Sequence, residues 1–555
     1  MVVNRIIGRK GMKRLLFMAL VIVAFVRCSE ELSESCWSER GSLVASVELH
    51  AGTELARAYD PELKWSWELG DQLVGFQSRG AKIRNQFALV EGCRFRCEEF
   101  SYATQDAAPF HFIYPAAAEQ VAGELTAVQN GAWTPVAVAT ISNATVKSIG
   151  DVAFEPLSAA LEVRVWNEDK TTRRKVVKAS LTSSNDFVGK WSLQEDMTYV
   201  QSLSGKEITL EGLSSEVFTF NMPVKEEGFN AGTMQLTLQD EAGNKTTVNL
   251  PALTYKRGMR TVLNVVFKLP TFTCATYNVK SSTSGSIGTK ITEDAWDFFA
   301  LSEDFSKLSS NLSSYTFGTR SRSTTSFYGS DPKDGLGFAT LNGRCSWSGE
   351  YIDAFDSEYG GLFEGANTVV DKGFRYYLVT LHDGVEVEVY ITHMNTYDSQ
   401  KHLDCQHAQL QEVATYIANH QNGYPVIFMG DTNCRYTRND FETYFWSILR
   451  DAGLSYDDPW VEFQWPITRE ELMLSGDYPE FGGKSLMVND ATGTDSSTDI
   501  VCSTTQNGEV VDKVIYINKS SNAVQLKAKR FLRDMDYGDL SDHMPIVVEF
   551  SYEKR

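Results

Sequence analysis

The sequence predicts a multidomain chain in which an all-β region is followed by a layered α/β or α+β domain. Three observations predict it. The chain has 555 residues and 62.1 kDa, which at roughly 100–200 residues per domain means two to four domains. From about residue 40 to 268, short apolar segments alternate with polar turns at period two, the signature of strands in a sandwich. From Thr273 onward, strand-like runs alternate with helical stretches such as His402–Asn419. Apolar residues make up 42% of the chain, enough for packed cores, so neither global disorder nor a collagen-like repeat fits. Asp and Glu number 72 against 52 Lys and Arg, a formal charge of -20. That balance argues against wholesale binding of a polyanion. Nine cysteines are too few for a disulfide scaffold.

The N-terminus comes first. Residues 1–27 hold six basic side chains (Arg5, Arg9, Lys10, Lys13, Arg14, Arg27), no acidic ones, and an apolar run from Leu15 to Val26. Twelve apolar residues fall short of the about 20 that span a bilayer, so the segment reads as a signal peptide. Cys28 follows, then Ser29, Glu30 and Glu31. This resembles a bacterial lipoprotein signal of the surface-exported Bacteroidota type, with Cys28 the lipidated residue, although Arg27 stands where a small residue is usual. The resemblance implies a lipid anchor in the outer membrane at the cell surface, with 28–39 as a linker. Cys93 and Cys97 lack a second Cys or His pair at zinc spacing; residues on one strand face, or a disulfide, both fit better.

The region 40–268 offers strands at Leu161–Val165, Val217–Met222 and Met234–Leu238, and no cluster of His, Cys or paired carboxylates. Its phrases Trp67–Phe76 (WELGDQLVGF), Phe112–Pro115 (FIYP) and Pro156–Leu161 (PLSAAL) resemble the fimbrillin-like adhesins of Bacteroidota. That resemblance implies two β-sandwich lobes with an adhesive partner; a generic β-rich spacer is the alternative.

The boundary falls near Lys268-Leu269-Pro270. Residues 272–555 carry 41 acidic and 23 basic side chains, a net -18, so the acidity is concentrated there. Five segments are each expected to end a strand with a metal-ligating or proton-transferring side chain: Cys274–Val279 with Asn278, Phe298–Glu303, Val389–Asn395 with His393, Val426–Asn433 with Asp431, and Ser541–Ile546 with Asp542 and His543. Val511–Tyr516, with Asp512, lies between the last two. Singly, each has a plain structural explanation as a turn cap, a solvated helix residue or a satisfied core histidine. Their joint order is what carries weight.

Together they resemble the endonuclease/exonuclease/phosphatase superfamily, over about Phe272 to Ser551. The resemblance implies a four-layer α/β sandwich with its active site where these segments converge. It implies a metal site of Asn278 and Glu303 assisted by Asp542, holding Mg²⁺, or Mn²⁺ or Ca²⁺ in its place. It further implies that Asp431 orients or deprotonates the attacking water and Asn433 donates a hydrogen bond to the phosphorane. By the same resemblance His543, paired with Asp512, is expected to contact or protonate a phosphate oxygen, and His393 to be a second imidazole toward the phosphate or leaving group. The chemistry fits these residue types: a phosphodiester repels nucleophiles, and a hard cation on carboxylates plus hydrogen-bond donors offsets that charge. Ser302 stands where the family has Gln.

The charge of -18 ranks a lipid or small-molecule phosphodiester above nucleic acid as substrate, because DNA affinity comes largely from Lys and Arg. An extracellular nuclease is the alternative, with Arg435, Arg438 and the cluster Lys527, Lys529, Arg530, Arg533 as its basic groove. That cluster is more commonly a solvated strand face. A non-catalytic adhesin is the alternative of another class. Trp460, Phe463, Trp465, Tyr478 and Phe481 crowd the segment before Asp512, where they either shape substrate entry or pack on the sandwich. Asp490–Thr498 reads as a loop over the site.

Overall fold

The computed structural model describes residues 47–50, 69–77, 84–91, 94–98, 100, 109–116, 119–121, 124–126, 137–141, 152–193, 199–223, 229–230, 232–251, 254–281, 285–305, 308, 312–323, 331–359, 370–396, 399–420, 422–434, 445–464, 480–481, 484–485 and 511–555. The signal segment, Cys28, the 28–39 linker, Cys93, Arg435, Arg438, Trp465, Tyr478 and the 490–498 stretch lie outside them. The chain divides into two compact units, the first ending at Lys268 and the second running from Leu269 to Arg555 with Ala242–Asn244.

Among its described residues the first unit contains strands and no α-helix. Its largest sheet has seven strands, including Gln72–Gln77, Arg84–Glu91 and Phe110–Tyr114. Leu73, Phe87, Phe95, Phe110 and Phe112 form its core. Two of the quoted phrases meet there: the Tyr114 hydroxyl donates to Asp71 at 2.8 Å. Farther along, Ser158–Trp166 pairs with both Val217–Pro223 and Arg260–Val266. Leu161, Val163 and Val165 all point inward, as period two requires.

In the second unit the strands of the two main sheets are numbered in chain order. The first sheet comprises β1 (Thr271–Asn278), β2 (Phe298–Ser302), β3 (Tyr315–Phe317) and β4 (Gly337–Leu341), with β10 (Val524–Arg533) and β11 (Ile546–Lys554), in the order β3-β4-β2-β1-β11-β10. The second comprises β5 (Cys345–Ala354), β6 (Gly373–Leu381), β7 (Glu386–His393), β8 (Val426–Asp431) and β9 (Asp512–Ile517), in that order. The sheets face each other across one core, in which Phe272, Phe298 and Phe338 of the first meet Tyr377, Val389 and Phe428 of the second. The Phe338 and Tyr377 rings stack with centroids 4.2 Å apart. Because both of its faces are covered, β8 reads as a continuous apolar run, Val-Ile-Phe-Met, with every residue buried.

Each sheet contains one parallel pair, and each pair is joined by a helix. Helix α1 (Gly285–Asp294) connects β1 to β2, and α2 (Gln400–His420) connects β7 to β8. A parallel pair needs such a crossover. Helix α2 buries Leu403, Leu410, Val413, Ala414 and Ile417, a helical stripe that seals the second sheet. Helix α1 turns Ile287 and Ile291 against Tyr277 and Phe299 in a separate apolar cluster. Trp460, on the short helix Pro459–Gln464, is a core residue, whereas Phe463 on the same helix is exposed. Phe481 lies on a two-residue strand, Glu480–Phe481. The basic residues Lys527, Lys529 and Arg530 line the solvated face of β10.

Candidate active site

Strand direction assembles the site. Asn278, His393 and Asp431 are the last residues of β1, β7 and β8, and Glu303 directly follows β2. One expectation is corrected: Asp542 and His543 do not end a strand but precede β11, as Asp512 opens β9. Strands β11 and β9 run antiparallel to β1 and β8, so their starting ends lie at the same edge as the others' finishing ends. Register does the rest. His393 pairs with Asp431, and Asp431 with Asp512, giving a row of functional side chains across three adjacent strands.

Close backbone packing fixes that row. Gly430 has φ +144°, and a Cβ there would lie 2.0 Å from the Thr392 carbonyl oxygen, so only glycine fits. Glu303 and Asn433 adopt left-handed φ values of 58° and 53°. Such backbone in non-glycine residues clusters at functional sites.

Asp431 is at the centre. It is buried, and its Oδ2 accepts from Asn278 Nδ2 at 2.9 Å. Its Oδ1 accepts the Asn433 backbone N–H at 3.0 Å, and Oδ2 lies 3.8 Å from both His393 Nε2 and His543 Nε2. Burial pushes its pKa up, but the neighbouring imidazoles (His543 foremost, then His393), the Asn278 hydrogen bond and the Lys372 charge outweigh it and hold the carboxyl below its ordinary range. His543 Nδ1 and Asp512 Oδ2 are 2.8 Å apart. Burial works against the imidazolium, yet Asp512, then Asp431 and Asp542, raise its pKa to about 10. At neutral pH His543 is a cation facing an anion. His393 behaves oppositely: burial first, then Lys372, drives it down to about 3, so it is neutral.

Asn278 Nδ2 also reaches Glu303 Oε1 at 3.3 Å, and Asn278 Oδ1 accepts the Lys280 backbone N–H. The Lys280 ammonium stands 2.7 Å from Asp542 Oδ2, and Asp542 foremost and then Glu303 favour its charged form. A cation thus already sits among the hard oxygen donors expected to hold a metal, so the donor set suits a divalent cation of the Mg²⁺ class. Ligand atoms of Asp431, Asp512 and His543 also lie within 4.8 Å of one another. The Nδ1 bond to Asp512 and the retained proton suit that trio to proton handling rather than ligation. The Asn433 amide donates to the Met394 carbonyl at 3.1 Å, tying the β8 end to the loop after His393.

Two buried lysines complete the surroundings, and neither was legible in the sequence. Lys372, the residue before β6, places Nζ 2.7 Å from His393 Nε2. Lys513, the neighbour of Asp512, donates to the Cys434 carbonyl at 2.6 Å. Burial lowers both to about 8. A lysine at a strand margin ordinarily reads as a solvated end, so nothing local marks either as buried.

No protein-family profile matches the chain. Over 192 residues it is 29% identical to a sphingomyelinase of Mycobacterium bovis and to one of Mycobacterium tuberculosis, covering 34% of this chain and 32% of each relative. The match thus spans about a third of those relatives' length. Among solved structures, TDP2 of D. rerio complexed with a single-strand DNA product is 15% identical, with a TM-score of 0.34, 51% of this chain and 99% of that one being covered. A mannosyl-6-phosphatase of Bacteroides thetaiotaomicron is 14% identical, with a TM-score of 0.32 and coverages of 50% and 99%.

Proposed function

We propose that the second unit is a metal-dependent phosphodiester hydrolase of the endonuclease/exonuclease/phosphatase type, built as a four-layer α/β sandwich. The single observation carrying this reading is the convergence, at one edge of two facing sheets, of Asn278, Glu303, Asp431, Asp512 and the oppositely tuned His393 and His543. The stretch similar to mycobacterial sphingomyelinases supports it. The net charge of -18 favours a lipid headgroup or small diester over nucleic acid. The signal-like segment and Cys28 support display on the outer membrane through a lipid anchor, with the fimbrillin-like region offering an adhesive partner a surface.

Glu303 and Asn278, with Asp542, would hold the divalent cation, which when bound offsets charge on the phosphate oxygens. Asp431, kept ionised, accepts a hydrogen bond from the attacking water and points its lone pair at phosphorus. A carboxyl held below its ordinary range is a weaker base, which favours orienting the water over deprotonating it. His543, with Nε2 3.8 Å from Asp431 and Nδ1 steadied by Asp512, carries a proton and donates to a phosphate oxygen as negative charge grows. For that donation Nε2 must be protonated, which the Nδ1–Asp512 bond leaves free to aim.

The test is Mg²⁺-dependent hydrolysis by the whole chain of bis-p-nitrophenyl phosphate, sphingomyelin vesicles and plasmid DNA, with chelator controls. Hydrolysis of the diester or the lipid without plasmid nicking is expected. Asp431→Asn and His543→Ala should each lower kcat by ~10³-fold or more. Plasmid nicking at low protein concentration would instead make it a nuclease, and no turnover on any of the three would leave the adhesin reading.

A further inference from the structure

Lys372 is 3% exposed, and among the described residues its hydrogen-bond partner is His393, at 2.7 Å. An ammonium has three donors and no acceptor, so His393 Nε2 must accept. A ring nitrogen that accepts carries no proton. The single proton of the neutral ring therefore sits on Nδ1, which is buried without a hydrogen-bond partner. The role expected for His393, toward the phosphate or leaving group, calls for a proton on the nitrogen that faces Lys372. Its inward nitrogen is already committed to Lys372 and has no proton to offer a phosphate or a leaving group.

Lys372 itself is left in an unusual state. Asp431 and Glu303 influence it electrostatically, but no carboxylate in the described residues forms an ion pair with it, and a neutral imidazole is its contact. A buried cation without a contacting anion is costly. The cost is recovered when an anion enters, and the anion expected beside Asp431 is a phosphoryl group. Position agrees: Gly373 pairs with His393 in the β6–β7 register, so Lys372 stands one residue outside the row His393–Asp431–Asp512, at the margin of the adjoining strand, with Nζ on His393.

We propose that Lys372 is the anion-binding group of this site, its ammonium taking a nonbridging phosphoryl oxygen, with His393 acting through it as a positioning residue. This rests on the phosphodiesterase reading for its substrate class. As the water–phosphorus bond forms and the leaving-group bond breaks, charge on the nonbridging oxygens grows. Lys372 keeps its proton throughout and strengthens its hold.

The experiment uses the whole chain with Lys372→Met, His393→Gln and His393→Phe. Glutamine places an oxygen acceptor near the Nε2 position; phenylalanine fills the ring space with none. On bis-p-nitrophenyl phosphate, Lys372→Met and His393→Phe should each lower kcat/KM by ~10²–10³-fold, whereas His393→Gln should lose no more than about tenfold. Calorimetric titration with inorganic phosphate should show binding that Lys372→Met abolishes and His393→Gln retains. Nitrogen-15 spectra of histidine-labelled protein should assign His393 as the Nδ1–H tautomer. Lys372→Met should match or exceed the wild-type Tm, because an apolar chain of similar length replaces a buried charge. His393→Gln as inactive as His393→Phe, beside a near-normal Lys372→Met, would overturn the proposal in favour of a proton-transferring imidazole. So would phosphate binding undiminished in Lys372→Met, or none in the wild type. If no substrate is hydrolysed, the phosphodiesterase reading fails, and the titration and the spectra still decide the role of Lys372.

Discussion

His393 and His543 flank one carboxylate at the same distance, 3.8 Å, yet their surroundings drive them apart. His543 meets Asp512 across 2.8 Å; His393 meets an ammonium. The identity of a neighbour, invisible in sequence spacing, decides which imidazole carries a proton. A stability consequence follows with a definite sign. An unfolded histidine titrates near 6.5, whereas folded His543 holds its proton to about 10. Its contribution is fully present below pH 6.5 and is lost as pH rises toward 10, at up to ~1.4 kcal/mol per pH unit. The Tm difference between wild type and His543→Asn should therefore be largest near pH 6 and shrink steadily toward pH 9.5. Titrating groups that do not interact with His543 are common to both proteins and cancel in the difference. A difference independent of pH would show that Asp512 does not hold the proton there.

At the scale of elements, two strand–helix–strand crossovers deliver the site, and one buried ion pair holds the segment beside them. Arg375 on β6 is 0% exposed and bonds Asp334 through Nε and a terminal nitrogen, each at 2.7 Å. It also donates to the Thr319 carbonyl. Asp334→Ala leaves a fully buried guanidinium uncompensated and should cost ~3–5 kcal/mol, read by urea denaturation; a loss below ~1 kcal/mol would mean that water reaches Arg375. Gly430→Ala must push β8 off the Thr392 carbonyl and should cost at least ~2 kcal/mol along with activity. Gly384→Ala, also at positive φ but with nothing within 4 Å of its new Cβ, should cost only ~1 kcal/mol and spare turnover. Equal losses would remove the argument that the β7–β8 contact is what demands glycine. How much of this was readable follows the same logic. The apolar run before Asp431 and the stripe of α2 are local patterns, so β8 and α2 stand close to where the sequence puts them. That Asp542 and His543 precede a strand rather than end one depends on pairing direction, which is a long-range property. Arg375 and Lys372 lie in strand-margin sequences that look solvent-facing, and the partners that meet them when buried, Asp334 and His393, are distant in sequence.

At the scale of the molecule, charge is the property the sequence states without ambiguity. The second half carries -18, while among the described residues Lys372, Lys513 and His543 lie inward, against His393, Cys434 and Asp512. A nuclease groove presents Lys and Arg outward along a backbone path, and each neutralised phosphate releases counterions, so its affinity falls steeply with salt. Here a polyanion would meet a repulsive field that salt weakens within a Debye length of about 8 Å at physiological ionic strength. The expected outcome is therefore the reverse of nuclease behaviour. Hydrolysis of lipid in vesicles doped with anionic lipid should accelerate as salt rises from low to physiological concentration. Hydrolysis in purely zwitterionic vesicles, or of bis-p-nitrophenyl phosphate, should stay within about twofold, because the field has no net charge to act on in a neutral surface and acts only weakly on a single charge. Initial rates across a salt series at fixed Mg²⁺ give the comparison. A rate on plasmid DNA or anionic vesicles that falls steeply with salt would locate an outward basic path on this acidic unit and transfer the substrate preference to polyanions.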